Sequence, residues 1–366
     1  MTHYRQTSST TFAPTTSTDS GTNTIKPTAA PEVESNRRLL DWPLRPRARG
    51  PLSSAVLSAL QRSPGTLGTT PPISCIDPLG DDDFQLALYL CYEVHYRGFG
   101  DAAWEWDLGL LGFRAELEQV FLDGLRDEIG SIDPVEPFEV APRMDTLIQS
   151  STGPSLSKYL SEIGTLEQLR EFCVHRSAYQ LKEADPHTFA IPRLRGEAKA
   201  AMMEIQFDEY GSGNASNMHS ALFADTLIAL GLNPSYGNYV GVLPGVTLAT
   251  VNLMSLFALH RQRRAALVGH LAVFEMTSVE PMGRYSRALG RFGISPEGRR
   301  FYDVHVDVDA HHAVVARDRM VAGLVEVEPH LAADVLFGVA AVLLLEKRFS
   351  SYLLNAWSVR GCSLLA

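Results

Sequence analysis

The chain lacks the marks of several common protein classes. Its cysteines number four (Cys75, Cys91, Cys173 and Cys362) and form no CxxC pair, which excludes zinc-ribbon and thioredoxin-type sites. Such widely spaced thiols indicate free cysteines in a reducing compartment rather than a disulfide framework. Basic residues number 32 against 42 acidic ones, without the basic cluster that a nucleic-acid partner would require. We therefore expect no nucleic acid as a partner.

Long apolar runs are also scarce. The first 25 residues have no apolar segment of the kind that marks a secretory signal. The longest apolar stretch, residues 331–345, contains Asp334 and is shorter than the ~20 residues needed to span a bilayer. It predicts a buried core helix. We expect a soluble, cytoplasmic protein that has no membrane partner.

Helical periodicity dominates what is present in the 366 residues. Residues 1–50 are rich in Thr, Ser, Pro and Arg and predict a disordered tail. Residues 51–150 predict an N-terminal helical segment packed on the core, with a Pro-rich link at 132–143 closing it. Alternating strand patterns are scarce, so the sequence predicts an all-α fold with a main domain at 151–366. Its helices are predicted near 155–163, 165–185, 195–210, 216–230, 246–259, 261–278, 296–315 and 330–356.

The segment 301–313, FYDVHVDVDAHHA, carries the first candidate site. Its residues His305, Asp309 and His312 stand at i, i+4 and i+7, which places all three on one face of a helix. Two imidazoles and a carboxylate are suitable ligands for iron or manganese. The alternative is a solvated polar helix face, and a mononuclear site made of these three residues is also open.

A second segment, residues 197–231, combines acidic residues with a histidine. Glu204, Asp208 and Glu209 lie in a helical pattern, and His219 follows Glu209 by ten residues. A straight helix would separate those two side chains by about 15 Å. The intervening Gly-Ser-Gly at 211–213 destabilises a helix and would let the chain bend back. The alternative is an ordinary turn between helices with surface acids.

A third segment supplies Glu183, late in an amphipathic helix that Pro186 is expected to end. His187 competes as a ligand, but its position after the proline favours a loop. A lone Glu at a helix end is usually only solvated. Three carboxylates and three histidines on three helical segments nevertheless form a sensible set for two irons. The ferritin-like plan expects two Glu-x-x-His motifs, and this sequence contains none.

The order E183, DEYGSG (208–213), H219 and HVDVDAHH (305–312) resembles the heme-oxygenase-like diiron oxidases and oxygenases, also called iron-containing redox enzymes. The resemblance covers roughly residues 150–360, and LYLCYEVHYRGFGDAAWEW upstream resembles the N-terminal part of longer members. It implies a heme-oxygenase-like helical bundle, two Fe(II) ions and O2 as co-substrate. The ligands that it implies match position by position: Glu183, Glu209, His219, His305, Asp309 and His312.

The same resemblance draws attention to Glu275, because a Glu at that place can act as an extra iron ligand in members that oxygenate amine nitrogens. A buried structural acid with a cationic partner is the other interpretation. The resemblance thus favours N-oxygenation of an amine or amino-acid-like small molecule in a biosynthetic pathway. Oxidative C–C cleavage, decarboxylation or desaturation of an amino or fatty acid is the enzymatic alternative, and an iron-binding helical protein without turnover is the other. An external electron donor and a homodimer are compatible with the sequence.

Overall fold

The computed structural model describes residues 43–366; the predicted tail therefore lies outside the described residues up to position 42. Its last residues, 43–50, contact the helical core. Arg45 donates to the carbonyl of Leu60 at 3.1 Å, and Arg49 donates to that of Val240 at 2.8 Å. Because these guanidinium groups satisfy backbone carbonyls of the folded part, contacts with the core begin before the predicted boundary at residue 51.

The N-terminal segment contains four helices: α1 Pro51–Ala59, α2 Asp82–Glu93, α3 Leu108–Ile129 and α4 Pro137–Ser150. Helix α4 corrects the sequence prediction, which placed a Pro-rich link here. Pro137 occupies the first helical position, where the missing N–H group is not needed. The Glu136 and Glu139 side chains form a capping box that fixes this helix start.

The rest of the described chain forms ten further helices of six residues or more: α5 Leu156–Glu162, α6 Leu166–Gln180, α7 Gly196–Glu209, α8 His219–Ala229, α9 Gly245–Leu259, α10 Arg264–Thr277, α11 Val279–Arg291, α12 Pro296–Val314, α13 Ala322–Val327 and α14 Ala332–Val359. Between residues 43 and 366 there is no strand. The all-α prediction is confirmed.

The structure differs from the prediction at the end of the helix predicted for 165–185 and at one unpredicted helix. A proline lies in the first helical turn in both places. The helix predicted for 165–185 ends at Gln180, and the single helical turn Asp185–Thr188 follows after a break. Pro186 begins that turn rather than a loop, since proline suits the first turn of a helix. Helix α11 was not predicted, although its Pro281 also lies in a first turn where no N–H is required. A π-helical turn, Val315–Val321, extends α12.

Helices α10 and α14 cross with their backbones in close contact. A Cβ on Gly269 would overlap the carbonyl oxygen of Val335, and one on Gly338 would overlap that of Ala266. The two glycines therefore allow the backbones to touch. The stretch Pro329–Val359 is long and apolar enough to cross a membrane, but half of its most apolar window is buried inside the protein. Helix α14 is a core helix in this structure.

Candidate metal centre

The seven residues singled out in the sequence converge in the core, and none is more than 8% exposed. We call them the cluster: Glu183, Glu209, His219, Glu275, His305, Asp309 and His312. Two groups of side chains each offer one ligand atom per residue within 4.8 Å of one another. The first group is Glu183, Glu209, His219 and His305, and the second is Glu209, Glu275 and His312. Glu209 therefore belongs to both groups.

Helix α12 carries three members of the cluster on one face, as their spacing predicts. His305, Asp309 and His312 are buried, whereas the neighbouring His311 is exposed. Asp309 lies beside the second group, with Oδ1 3.6 Å from His312 Nδ1. The period of the helix alone explains why one of two adjacent histidines enters the core and the other faces solvent.

A break after α7 brings His219 back to Glu209. Glu209 is the last residue of α7, and His219 is the first of α8. Gly211 between them has a φ of +66°, and a Cβ there would lie 2.5 Å from the backbone nitrogen of Met218. The close return of the chain therefore requires glycine at this position. It leaves His219 Nδ1 2.8 Å from Glu209 Oε2.

Unpartnered polar atoms test whether the cluster fits a metal. Five of its buried atoms make no hydrogen bond of acceptable geometry, although two of them, His219 Nδ1 and Glu209 Oε2, lie 2.8 Å apart. The five are Glu183 Oε2, Glu209 Oε2, His219 Nδ1, Asp309 Oδ1 and His312 Nδ1. Leaving such an atom unpaired costs about 1–3 kcal/mol, so a fold does not collect five of them without a reason. Carboxylate oxygens and imidazole nitrogens are donors that iron accepts. The residues present fit iron.

Neighbouring groups fix the orientation of the ligands. His305 Nδ1 lies 2.6 Å from the Phe301 carbonyl and donates to it, which leaves Nε2 as the ring nitrogen that can bind a metal. His312 Nε2 donates to Asp208 Oδ2 at 3.1 Å and leaves Nδ1 facing the carboxylates. Ser278 donates to Asp309 Oδ2. Contacts of this kind set the tautomer and direction of metal-binding histidines.

The cluster crowds buried acids against one another and against histidines. Burial, followed by repulsion from Glu209 and Asp309, raises the pKa of Glu183 well above its usual value. Burial raises the pKa of Glu275 to about 8. Burial opposes protonation of His312, but Asp309 and Glu275 raise its pKa nevertheless. A bound cation would stabilise the ionised carboxylates in place of these protons.

A cavity of about 300 Å³ reaches the cluster. Its lining includes acidic and histidine members of the cluster, apolar side chains such as Phe172 and Leu271, and polar ones such as Gln180 and Thr277. An ion pair lies in its wall: Arg176 donates to both carboxylate oxygens of Glu346, at 2.8 and 2.6 Å. The Arg176 guanidinium also stacks 4.4 Å from the ring centre of Phe349. A small molecule could contact both the pair and the cluster.

His187, the competing ligand, does not join the cluster. It lies in the helical turn after Glu183 rather than in a loop, fully buried, with Nε2 3.2 Å from His270 Nδ1. Sequence reasoning also missed Glu346, Asp208 as the partner of His312, and Ser278. Asp208 was noted only as one acid among several, and nothing local in the sequence distinguishes Glu346 from a surface acid.

Comparison with known proteins relates the part of the chain that carries the cluster to one family. The family model described as "Iron-containing redox enzyme" matches residues 170–347. This part of the chain, just under half of its length, is similar to the iron-containing redox enzyme family. The matched segment contains all seven members of the cluster and lies within the predicted main domain. The resemblance seen in the sequence is thus confirmed for these residues, and the fold is that of the heme-oxygenase-like helical family.

The chain also matches one curated protein, over a shorter segment. The chain is similar to a nitrosourea synthase from Streptomyces achromogenes subsp. streptozoticus, with 26% identity over 146 residues. The match covers 40% of this chain and 31% of the relative. The chain therefore spans about a third of the length of that enzyme.

Proposed function

We propose that the protein is an O2-activating non-heme diiron oxygenase that oxidises the nitrogen of an amine or amino-acid-derived small molecule. The observation that supports it most is the pair of ligand groups that share Glu209. One ion would be held by Glu183, Glu209, His219 and His305. The other would be held by Glu209, Glu275, Asp309 and His312. Bound iron supplies the one-electron chemistry that O2 activation requires.

The protein's own residues hold and shield this site. Phe301 and Asp208 fix the two α12 histidines through their second ring nitrogens. The apolar side chains of the cavity exclude water from a reaction that needs a dry pocket. Glu275 has its carboxylate 3.4 Å from His312 Nδ1, at the boundary between the cluster and the cavity. An oxidised nitrogen would therefore lie beside the acidic end of the pocket.

The Arg176–Glu346 pair supports a substrate with charged groups. The Arg176 guanidinium can bind a substrate carboxylate, and the Glu346 carboxylate can bind a substrate ammonium group. Because both are partly buried in the cavity wall, either interaction would be stronger than at the surface. Converting an amine and O2 into a hydroxylamine and water consumes two electrons and two protons. An external donor would supply those electrons.

The first test counts metal ions and follows O2. We expect the apo-protein to bind two Fe(II) per chain in an anaerobic titration, and the loaded protein to consume O2 faster with amines or amino acids present. Products made with ¹⁸O2 should carry the label on nitrogen. Loss of carbon dioxide or a new double bond would instead support the decarboxylation or desaturation alternatives. Metal binding without O2 uptake would support an iron-binding protein.

A second test uses Glu275→Gln, which keeps the shape and removes the charge. We expect iron still to bind through the other six residues while nitrogen oxidation falls sharply. Glu118→Gln is a matched control, since Glu118 is a buried acid paired with His260 and lies far along the chain in α3. An unchanged O2 reaction with a lowered melting temperature would show that Glu275 is only a structural acid.

A further inference from the structure

The residues on both sides of Glu183 are held by four separate contacts. The Leu181 carbonyl accepts from Arg97 at 3.4 Å, and Lys182 Nζ lies 3.3 Å from Glu93 Oε2. Past Glu183, the Ala184 carbonyl accepts from Gln206 at 3.2 Å, and Asp185 accepts from Tyr210 at 2.8 Å. Glu183 lies between these contacts, in the non-helical residues 181–184.

The contact with Glu93 is fully buried. The Lys182 side chain is 1% exposed and the Glu93 side chain is 0% exposed. The Lys182 ammonium lies 4.1 Å from the ring centre of Tyr96 and 5.2 Å from that of Tyr89. Tyr236 donates its hydroxyl to the Glu93 carboxylate, 2.9 and 2.8 Å from its two oxygens. A buried charge in such a site cannot move without losing its partner, and an unpaired buried charge strongly destabilises a protein.

We infer that Glu93 is a positioning residue for the metal ligand Glu183. Lys182 precedes Glu183 directly, so fixing the Lys182 side chain in the aromatic site fixes the backbone from which the Glu183 side chain projects. Glu93 is the last residue of α2, in the N-terminal segment and outside the matched residues 170–347. The N-terminal helices would thus be part of the metal centre rather than an attached layer. This inference rests on the proposed two-ion centre.

The geometry also predicts that the loss of Glu93 affects only one of the two ions. Glu183 belongs to the first ligand group and not to the second, whose residues come from α7, α10 and α12. Displacement of Glu183 should therefore weaken the binding of one ion and leave the binding of the other unchanged. Loss of a residue that orients a metal ligand typically lowers affinity about 10–100-fold.

The experiment titrates the apo-protein with Co(II), which reports binding by absorbance and does not react with O2 as Fe(II) does. We expect two ions to bind to the wild type, and Glu93→Gln to weaken one of them about 10–100-fold without affecting the other. The control Glu118→Gln should lower the melting temperature and leave both affinities unchanged. The double variant Glu93→Gln/Lys182→Met removes both charges and should recover stability while the one ion stays weak.

The titrations distinguish a positioning role of Glu93 from a general effect on stability. If Glu93→Gln does not fold, Tyr236→Phe removes the hydroxyl that donates to Glu93, keeps the ion pair, and should weaken the same ion to a smaller degree. Two ions bound with wild-type affinity in both variants would overturn the inference and leave the proposed function intact. Equal weakening by Glu118→Gln would also overturn it, because general stability would then explain the loss. A wild type that binds fewer than two ions would overturn the proposed centre itself.

Discussion

The crossing of α10 and α14 yields a sharp prediction: replacing either glycine by alanine should destabilise the protein, although alanine favours helices. A Cβ on Gly338 would lie 2.7 Å from both the Cα and the carbonyl carbon of Ala266. Backbone atoms cannot rotate away, so the helices must separate. Overpacking of a core costs about 1–3 kcal/mol, whereas the gain in helix propensity is about 1 kcal/mol. We expect a net loss of about 1 kcal/mol, and at most about 2 kcal/mol, for Gly338→Ala and for Gly269→Ala.

The matched control is Gly112→Ala in α3. Gly112 is exposed, and a Cβ there would have no atom within 4 Å. This variant should be about as stable as the wild type or up to about 1 kcal/mol more stable. Urea denaturation followed by circular dichroism measures all three changes. Helix α10 also carries Glu275, so Gly269→Ala should weaken metal binding as well. If Gly338→Ala proved as stable as Gly112→Ala, the two helices could separate at little cost and the reasoning would be refuted.

Two further predictions concern histidines. Asp208→Asn removes the carboxylate that accepts from His312 Nε2 and should lower metal affinity about 10-fold or more, measured by Co(II) titration; Glu204→Gln, which alters the exposed partner of a neighbouring histidine, should leave it unchanged. Burial lowers the pKa of His175 to about 3, so this residue contributes stability that is present above about pH 6.5 and is lost as the pH falls toward 3. The slope is about 1.4 kcal/mol per pH unit. Urea denaturation at pH 7 and pH 5 should show a smaller difference for His175→Gln than for the wild type, and equal differences would contradict this account.

Short-range patterns in the sequence determined the helical fold and much of the cluster. The i, i+4, i+7 spacing of His305, Asp309 and His312 places them on one face whatever surrounds the helix. The glycines at 211–213 likewise predict a break through local backbone preference. Family resemblance rather than spacing identified Glu275.

Tertiary structure alone decided which distant groups meet. Glu93 and Lys182 are 89 residues apart in the chain, and Arg176 and Glu346 are 170 apart. Neither pair leaves a periodic signal, because an ion pair between distant residues depends on how two segments of the chain pack together and not on the sequence near either residue. The helix at 137–150 and the end of α6 at Gln180 depended on caps and prolines read in their three-dimensional setting. Local periodicity thus specified the elements, and the packing of those elements determined how the ligands are held and what the cavity can bind.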